Sequence, residues 1–186
     1  MFNPSKNPRV ARSLDQIALA TYELLKTEKL RDLTVTAIAE KAGVTRKTFY
    51  RNFGDITDVL DYGLFSRIIP LYQDPRCETY EDFLTSVLEF AVTYKELMLM
   101  CKRQGQFTLL THLGMKYLPG SFYIQTVCAR HQGEKGFERT FPLLVASITG
   151  GLLEDWINEG FKESVDQVVA KGSSALAALN EKGGYE

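Results

Sequence analysis

The chain has 186 residues, 45% of them hydrophobic and 24% charged, with a formal net charge of −1 at pH 7. These values are typical of a globular protein with enough residues to bury a core. No apolar run approaches the ~20 residues that a membrane-spanning helix needs, and residues 1–16 contain no apolar segment typical of a signal peptide. Three scattered cysteines are too few for a disulfide framework. We therefore expect a soluble, cytoplasmic protein.

The charge is distributed unevenly along the chain. Residues 1–53 carry ten Lys and Arg against five Asp and Glu, a net charge of +5, whereas residues 54–186 carry twelve basic and eighteen acidic side chains, a net charge of −6. A basic segment joined to an acidic one favours a polyanionic partner at the basic end. Segregated charge also occurs on surfaces that bind nothing.

Helical hydrophobic spacing starts near the N-terminus. The stretch "RSLDQIALATYELLKTEKL" has apolar residues at helical intervals and predicts a long first helix. Thr34 or Thr36 can cap a short second helix, "AIAEKA", and Gly43 can end it in a left-handed conformation. Thr45 can cap a third helix, "RKTFYRNF", and a fourth helix, "ITDVLDYGLFSRII", follows a turn at Gly54.

The rest of the chain is also predicted to be helical. A break is expected at residues 70–75, followed by helices at about 80–101, 106–117, 120–131, 137–160 and 164–180. No run of alternating β-branched residues indicates a sheet. We predict an all-α protein with a three-helix N-terminal domain and a helical C-terminal domain. The predicted domains span residues 1–54, which contain a motif of two short helices at 34–53, and residues 55–186.

The two short helices and the glycine turn between them predict a helix-turn-helix. Small Ala39 and Ala42 allow the helices to approach, and Phe49 and Phe53 face the core. The third helix then presents polar side chains without a carboxylate. They suit a helix in the major groove of DNA, where Arg and Lys bond guanine edges and Tyr donates to phosphate. The alternative is a solvated helix face, although most such faces mix charges of both signs.

Residues 9–60 resemble the N-terminal domain of the tetracycline-repressor (TetR) family of bacterial transcription regulators. The resemblance rests on the long first helix ending "YELLKTEKLRDLTV", on "TAIAEKAGVTRKTFYRNF", and on a following helix of the "DVL" type. The aromatic pair in "TFYRNF" after "AGV" is its most specific part. The resemblance implies a DNA-binding regulator of transcription, most often a repressor, that binds double-stranded operator DNA as a homodimer and responds to a small-molecule effector.

Applied residue by residue, the resemblance implies several kinds of DNA contact. Thr34 and Thr36 contact phosphate through their hydroxyl groups or through the helix N-terminus. Side chains at the start of the third helix contact bases, and those further along contact bases or backbone. The predicted DNA-binding set is Thr34, Thr36, Thr45, Arg46, Lys47, Thr48, Tyr50, Arg51 and Asn52.

One position departs from the family pattern. Members often carry a phosphate-binding Lys at the start of the fourth helix, whereas this chain has Asp55 and Asp58 there. A carboxylate at this place would repel phosphate, so no DNA contact is predicted from this segment. Arg9 and Arg12, before or on the first helix, are the compensating phosphate contacts.

A homodimer needs an interface, because a palindromic operator presents two half-sites about 34–36 Å apart. The stretch "FPLLVASITGGLLEDWINEGF" combines an apolar stripe with a stripe of small residues, and the next helix repeats the pattern. Two such helices from each subunit would form a four-helix bundle, and the resemblance implies dimerisation through the last two long helices. The alternative is burial of both stripes within one subunit. The predicted interface consists of Leu144, Ile148, Gly151, Leu152, Val168, Val169, Gly172 and Leu176.

The middle of the chain is rich in aromatic residues and methionine. The resemblance implies that this region encloses an effector pocket, and such walls suit a hydrophobic ligand. The alternative is that these side chains are ordinary core. The predicted pocket residues are Phe90, Tyr94, Met98, Phe107, Met115 and Phe122.

Other classes of function find less support. Cys128 and His131 have a spacing that can hold a metal, but no second Cys/His pair accompanies them, so we expect neither a metal nor a cofactor. No catalytic or nucleotide-binding motif occurs, and an enzyme is not expected. The alternative to a ligand-responsive repressor is a TetR-fold regulatory module that works through a protein partner.

Overall fold

The computed structural model describes residues 8–180, apart from the side chains of residues 65, 109, 113, 179 and 180. Residues 1–7 and 181–186, which the predicted domains include, lie outside the described residues. Residues 8–180 form ten α-helices and no strand, which confirms the prediction of an all-α protein. The helices are α1 Pro8–Leu25, α2 Val35–Ala42, α3 Arg46–Asn52, α4 Ile56–Tyr72, α5 Tyr80–Thr93, α6 Lys95–Arg103, α7 Phe107–Tyr117, α8 Phe122–Arg130, α9 Phe137–Asn158 and α10 Val165–Asn180.

The chain divides into two compact units between Ile69 and Pro70. The first unit contains α1, α2, α3 and most of α4, so it extends beyond the division predicted after residue 54. The physical reason is that α4 packs on the earlier helices, with the Tyr62 ring 5.8 Å from the Phe53 ring. As a division of function, the boundary after residue 54 stays a prediction.

The first unit is built around one apolar core. Helix α1 packs on α2 and α3, and α2 packs on α3. Ile17, Ile38 and Phe49 have no exposed surface, and Val59 of α4 is almost as fully buried. Each helix therefore turns one apolar face inward and leaves its polar residues outside, as expected for short amphipathic helices.

Helix α2 has a well-defined beginning and end. Thr34 is the residue before its first turn, and its hydroxyl oxygen accepts a 3.1 Å hydrogen bond from the backbone N–H of Ala37. At the other end Gly43 adopts φ +66°, and its N–H bonds the Glu40 carbonyl while the N–H of Val44 bonds that of Ala39. These paired bonds form a Schellman motif, which satisfies the last carbonyls and turns the chain toward α3.

The second unit packs its helices around the long helix α9. Helix α9 lies against α6, α7, α8 and α10, and α10 also packs on α5. The fully buried side chains include Phe83, Leu84, Leu88, Met98 and Ile157. They come from α5, α6 and α9, so one core is shared by helices that are distant in sequence.

Two predicted boundaries differ from the structure. The helix predicted at 80–101 is interrupted at Tyr94, where φ is −108° and ψ is 36°. The hydroxyl of Thr93 donates to the Glu89 carbonyl at 2.9 Å, a side-chain bond that often bends helices. The break predicted to start at Pro70 begins after Tyr72 instead. Pro70 lies near the end of α4, where its ring costs one backbone hydrogen bond.

None of the helices within residues 8–180 combines the length and the apolarity that crossing a membrane requires.

We predict that Gly43→Ala lowers the free energy of unfolding by about 1 kcal/mol. An added Cβ would have no atom within 4 Å, so the cost comes from the positive φ alone. Urea denaturation followed by circular dichroism measures it. Gly114→Ala is the matched control, since Gly114 is helical and its Cβ would lie 3.7 Å from the Ala146 Cβ, an ordinary contact. Equal stabilities for the two variants would contradict the prediction.

Candidate nucleic-acid interface

Helix α3 has only seven residues, and aromatic packing fixes its orientation. The Phe49 ring is fully buried, and its centroid lies 5.8 Å from that of Phe53, which is 3% exposed. Phe53 in turn packs on Tyr62 of α4 with 5.8 Å between centroids. Because these two inward rings are anchored to α4, the opposite side of α3 is held toward solvent.

A polar contact extends this aromatic row to α1. The hydroxyl of Tyr62 donates to Oδ1 of Asp15 at 2.7 Å. Burial, together with the bonded and negatively charged Asp15, raises the pKa of the Tyr62 phenol above its ordinary value of 10, so the phenol stays a neutral donor. Helices α1, α3 and α4 are thus connected through Tyr62.

The ends of α3 are held by its own side chains. The Thr45 hydroxyl oxygen accepts from the Thr48 backbone N–H at 3.1 Å, as expected of an N-cap, and lies 3.0 Å from the Thr48 hydroxyl. At the other end Nδ2 of Asn52 donates to the Thr48 carbonyl at 2.7 Å. Thr45, Thr48 and Asn52 therefore already have hydrogen-bond partners within the helix.

The structure brings seven of the nine predicted DNA-binding residues together on or beside α3. Thr48 and Asn52 are half-buried, whereas the other members of the set are exposed. Tyr50 is 52% exposed, an unusual position for an aromatic residue, and its ring makes an edge-to-face contact with Phe49. Thr34 and Thr36 lie at the start of α2, and Thr34 serves as its cap.

The exposed side of α3 is strongly basic. Arg46, Lys47 and Arg51 are all exposed, and within residues 8–180 none of them makes an ion pair. Three neighbouring cations without carboxylates repel one another at this surface. A polyanion placed against α3 would relieve that repulsion.

The two carboxylates at the start of α4 have a structural role. Oδ1 of Asp55 accepts from the Asp58 backbone N–H at 2.9 Å, and Oδ2 of Asp58 accepts from the Gly54 backbone N–H at 2.8 Å. They satisfy backbone donors at the helix N-terminus, where negative charge is also favourable. The departure from the family pattern at this place thus has a physical explanation in helix capping.

Residues 17–62 match the family model described as bacterial regulatory proteins of the tetR family. The match covers 46 of the 186 residues, so the similarity to this family is shown for a segment of the first unit. This similarity supports a DNA-binding regulator of transcription with a helix-turn-helix. The match spans α2, α3 and the packing residue Tyr62, and it ends before the second unit. No curated protein matches the chain by sequence.

The predicted dimer residues fall into two groups. Leu144 and Gly151 are exposed on α9, and Ile148, Leu152, Val169 and Leu176 are half-buried. Val168 and Gly172 are different, because both are buried inside the protomer. A Cβ on Gly172 would lie 3.0 Å from side-chain carbons of Leu152 and Leu84. Helix α10 turns these two residues toward its own chain, as in the alternative of burial within one subunit.

The predicted pocket residues also differ in their surroundings. Met98 is buried, whereas Met115 is 38% exposed on α7. Phe107 and Phe122 are half-buried, as are Phe90 and Tyr94, whose ring centroids lie 4.6 Å apart.

The main group of buried rings in the second unit lies elsewhere. Phe83 is 5.9 Å from Tyr72 and 5.6 Å from Tyr123 between centroids, and Tyr123 is 6.0 Å from Phe141. Burial raises the pKa of Tyr123 to about 12. Sequence reasoning missed this group because its members come from α4, α5, α8 and α9. The available sequence signal was the high content of aromatic residues, which does not show which rings pack against one another.

Two neighbouring residues define the surroundings of His131. Nδ1 of His131 lies 2.8 Å from Oε1 of Glu134, and its ring stacks on Phe137 at 4.3 Å. No group of three or more His, Cys, Asp or Glu that could hold a metal occurs within the part of the chain that the structure describes.

We predict that Thr45→Ala lowers the free energy of unfolding by about 1 kcal/mol, because the N-cap acceptor of α3 is lost. Thr45→Ser keeps the hydroxyl and should have nearly the stability of the unchanged protein. Urea denaturation of both variants without DNA provides the measurement. If Thr45→Ala is as stable as Thr45→Ser, the hydroxyl does not act as a cap.

Proposed function

We propose that the protein is a homodimeric repressor that binds a palindromic operator and leaves it when a small hydrophobic effector binds the second unit. The exposed basic side of α3 carries the proposal. Its three cations and Tyr50 project from a helix whose other side is fixed by buried Phe49. Such a surface is suited to the major groove, with hydroxyl and cationic groups available for phosphates and base edges. The protein would act on DNA in the cytoplasm.

Phosphate contacts are expected from several parts of the first unit. Arg9 and Arg12 are exposed on α1, and the N-terminus of α2 presents Thr34 and Thr36. Together with Arg46, Lys47 and Arg51, each protomer would bring five cations to the duplex. The phosphate contacts among them would position α3 without specifying a sequence.

Salt dependence tests operator binding directly. A dimer that neutralises about 6 to 10 phosphates loses on the order of 10³- to 10⁵-fold in affinity between 50 and 200 mM salt. We expect this slope in fluorescence-anisotropy titrations with DNA that flanks the coding region. Arg46→Ala should reduce the slope, whereas Arg103→Ala, which removes an exposed guanidinium from α6, should not. Absence of a salt slope in the unchanged protein would favour the module that acts through a protein partner.

The dimer would use the outer faces of the last two helices. Helix α9 exposes Leu144 and Leu143, which are 56% and 43% exposed, beside Ser147 and Gly151. A Cβ on Gly151 would have no atom within 4 Å. This combination of exposed leucines and small residues would allow a helix of a second subunit to pack closely and bury apolar area. The helix-turn-helix motifs of the two subunits would then bind half-sites about 34–36 Å apart.

We predict that Leu144→Glu shifts the protein toward the monomer, because two carboxylates would be buried near the two-fold axis. Sedimentation velocity measures the change, and operator affinity should fall with it. Val92→Glu is the matched control, since Val92 is 49% exposed on α5 of the same unit and lies outside the proposed interface. A dimer that persists in Leu144→Glu would place the interface on another surface.

The effector part of the proposal is supported by the composition of the second unit. Aromatic rings and methionines supply adaptable apolar surface, and Tyr80 and Thr149 place two hydroxyl groups 3.3 Å apart among them. An effector releases the operator only if it binds the released conformation more tightly than the DNA-bound one. Loss of the anisotropy signal on adding a hydrophobic compound is the corresponding readout.

A further inference from the structure

We infer that Lys47 and Arg51 are the base-contacting pair of α3, and that each operator half-site contains two guanines within about two base pairs of one another. This inference rests on the proposed function and deepens it. The proposal so far treats the exposed residues of α3 as one set. The geometry of the helix divides them into groups with different roles.

The buried Phe49 defines the inner side of α3. Successive residues of an α-helix are rotated by about 100°. Lys47 and Arg51 stand two residues before and after Phe49, so both lie about 160° from it, almost directly opposite. Arg46 is about 60° from Phe49, and Tyr50 is about 100° from it. Lys47 and Arg51 therefore occupy the outermost line of the helix, which enters deepest when a helix lies in a groove.

The other polar residues of α3 are occupied or face sideways. The Thr45 and Thr48 hydroxyl groups lie 3.0 Å apart, and Thr45 also caps the helix. Nδ2 of Asn52 bonds the Thr48 carbonyl. Arg46 and Tyr50 lie on one flank, the position from which a side chain meets the phosphates beside the groove. We therefore assign the base contacts to the two outermost cations, Lys47 and Arg51.

The chemistry of these cations specifies the base. Arg bonds the O6 and N7 atoms of guanine through two donors, and Lys bonds the same acceptors. Residues four apart are about 6 Å apart along a helix, and adjacent base pairs are 3.4 Å apart along one strand. Two guanines within about two base pairs of each other therefore match the pair.

Selection from a random duplex library by the unchanged protein identifies the half-site. We expect two guanines at this spacing in each half. Arg51→Ala and Lys47→Ala should each reduce discrimination against a substituted guanine by about 5- to 150-fold at one position. Arg46→Ala is the matched control, because it removes one exposed cation from the same helix. It should weaken operator and random DNA equally and leave the selected sequence unchanged.

A cycle with modified DNA tests the contact itself. Replacing one guanine by 7-deazaguanine removes only the N7 acceptor. It should weaken binding by the unchanged protein and have no further effect on the variant that lacks the partner residue. Arg51→Lys should keep the affinity for random DNA and reduce discrimination at the Arg51 guanine by less than Arg51→Ala does, because Lys still bonds the guanine acceptors but lacks the planar fork.

The outcomes separate this inference from the proposed function. If the library yields an operator but Lys47→Ala and Arg51→Ala lose affinity equally on operator and random DNA, the two residues contact only backbone and the inference is overturned. A selected half-site without the two guanines overturns it as well. If the library yields no enriched sequence, the operator-binding function itself fails. Circular dichroism of each variant confirms that α3 is retained.

Discussion

Burial of the Phe49 ring is the constraint on which the proposed DNA-binding surface depends. A helix of seven residues is not stable by itself in water, because the cost of its first turn is repaid only over several further turns. Helix α3 exists because Phe49 and Phe53 insert between α1 and α4, and because Thr45 closes its N-terminus. The direction of every exposed side chain on α3 follows from where these two rings are anchored.

Electrostatics then decide what that surface can bind. The cations of α3 make no ion pair within the described residues, while Asp55 and Asp58 accept hydrogen bonds from backbone N–H groups at the start of α4. The two carboxylates stabilise a helix N-terminus that could otherwise have met a phosphate. Asp55 and Asp58 therefore stabilise the start of α4. The cationic and hydroxyl groups proposed to contact phosphate come from α1, α2 and α3.

Much of this arrangement could be predicted from the sequence because local signals agree with tertiary packing. The helix ends of the helix-turn-helix lie at Thr34, Gly43 and Thr45. The structure shows an N-cap at Thr34, a left-handed turn at Gly43 and a second N-cap at Thr45. The helical spacing of apolar residues located nearly every helix of the second unit. These features depend on residues a few positions apart, so pattern analysis can find them.

Sequence patterns are less informative where contacts distant in sequence, or a single side-chain bond, decide the structure. Val168 and Gly172 share their spacing with half-buried neighbours, and the packing of α10 on α5 and α9 shows that they are interior to the protomer. The cluster of Tyr72, Phe83 and Tyr123 joins three helices, and no periodicity within one helix reveals it. The interruption at Tyr94 depends on a bond from Thr93 to a backbone carbonyl, for which the sequence offers no distinct signal.

The division of α3 into an inner and an outer side has a consequence for how such a regulator can diverge. Substitutions at exposed positions usually change folding stability by no more than about 0.5 kcal/mol, whereas loss of a buried phenylalanine costs about 3–5 kcal/mol. The outward positions can therefore exchange residues while the helix keeps its place on Phe49. A descendant of this protein could acquire a new target promoter through a few mutations, without rebuilding the scaffold that displays them.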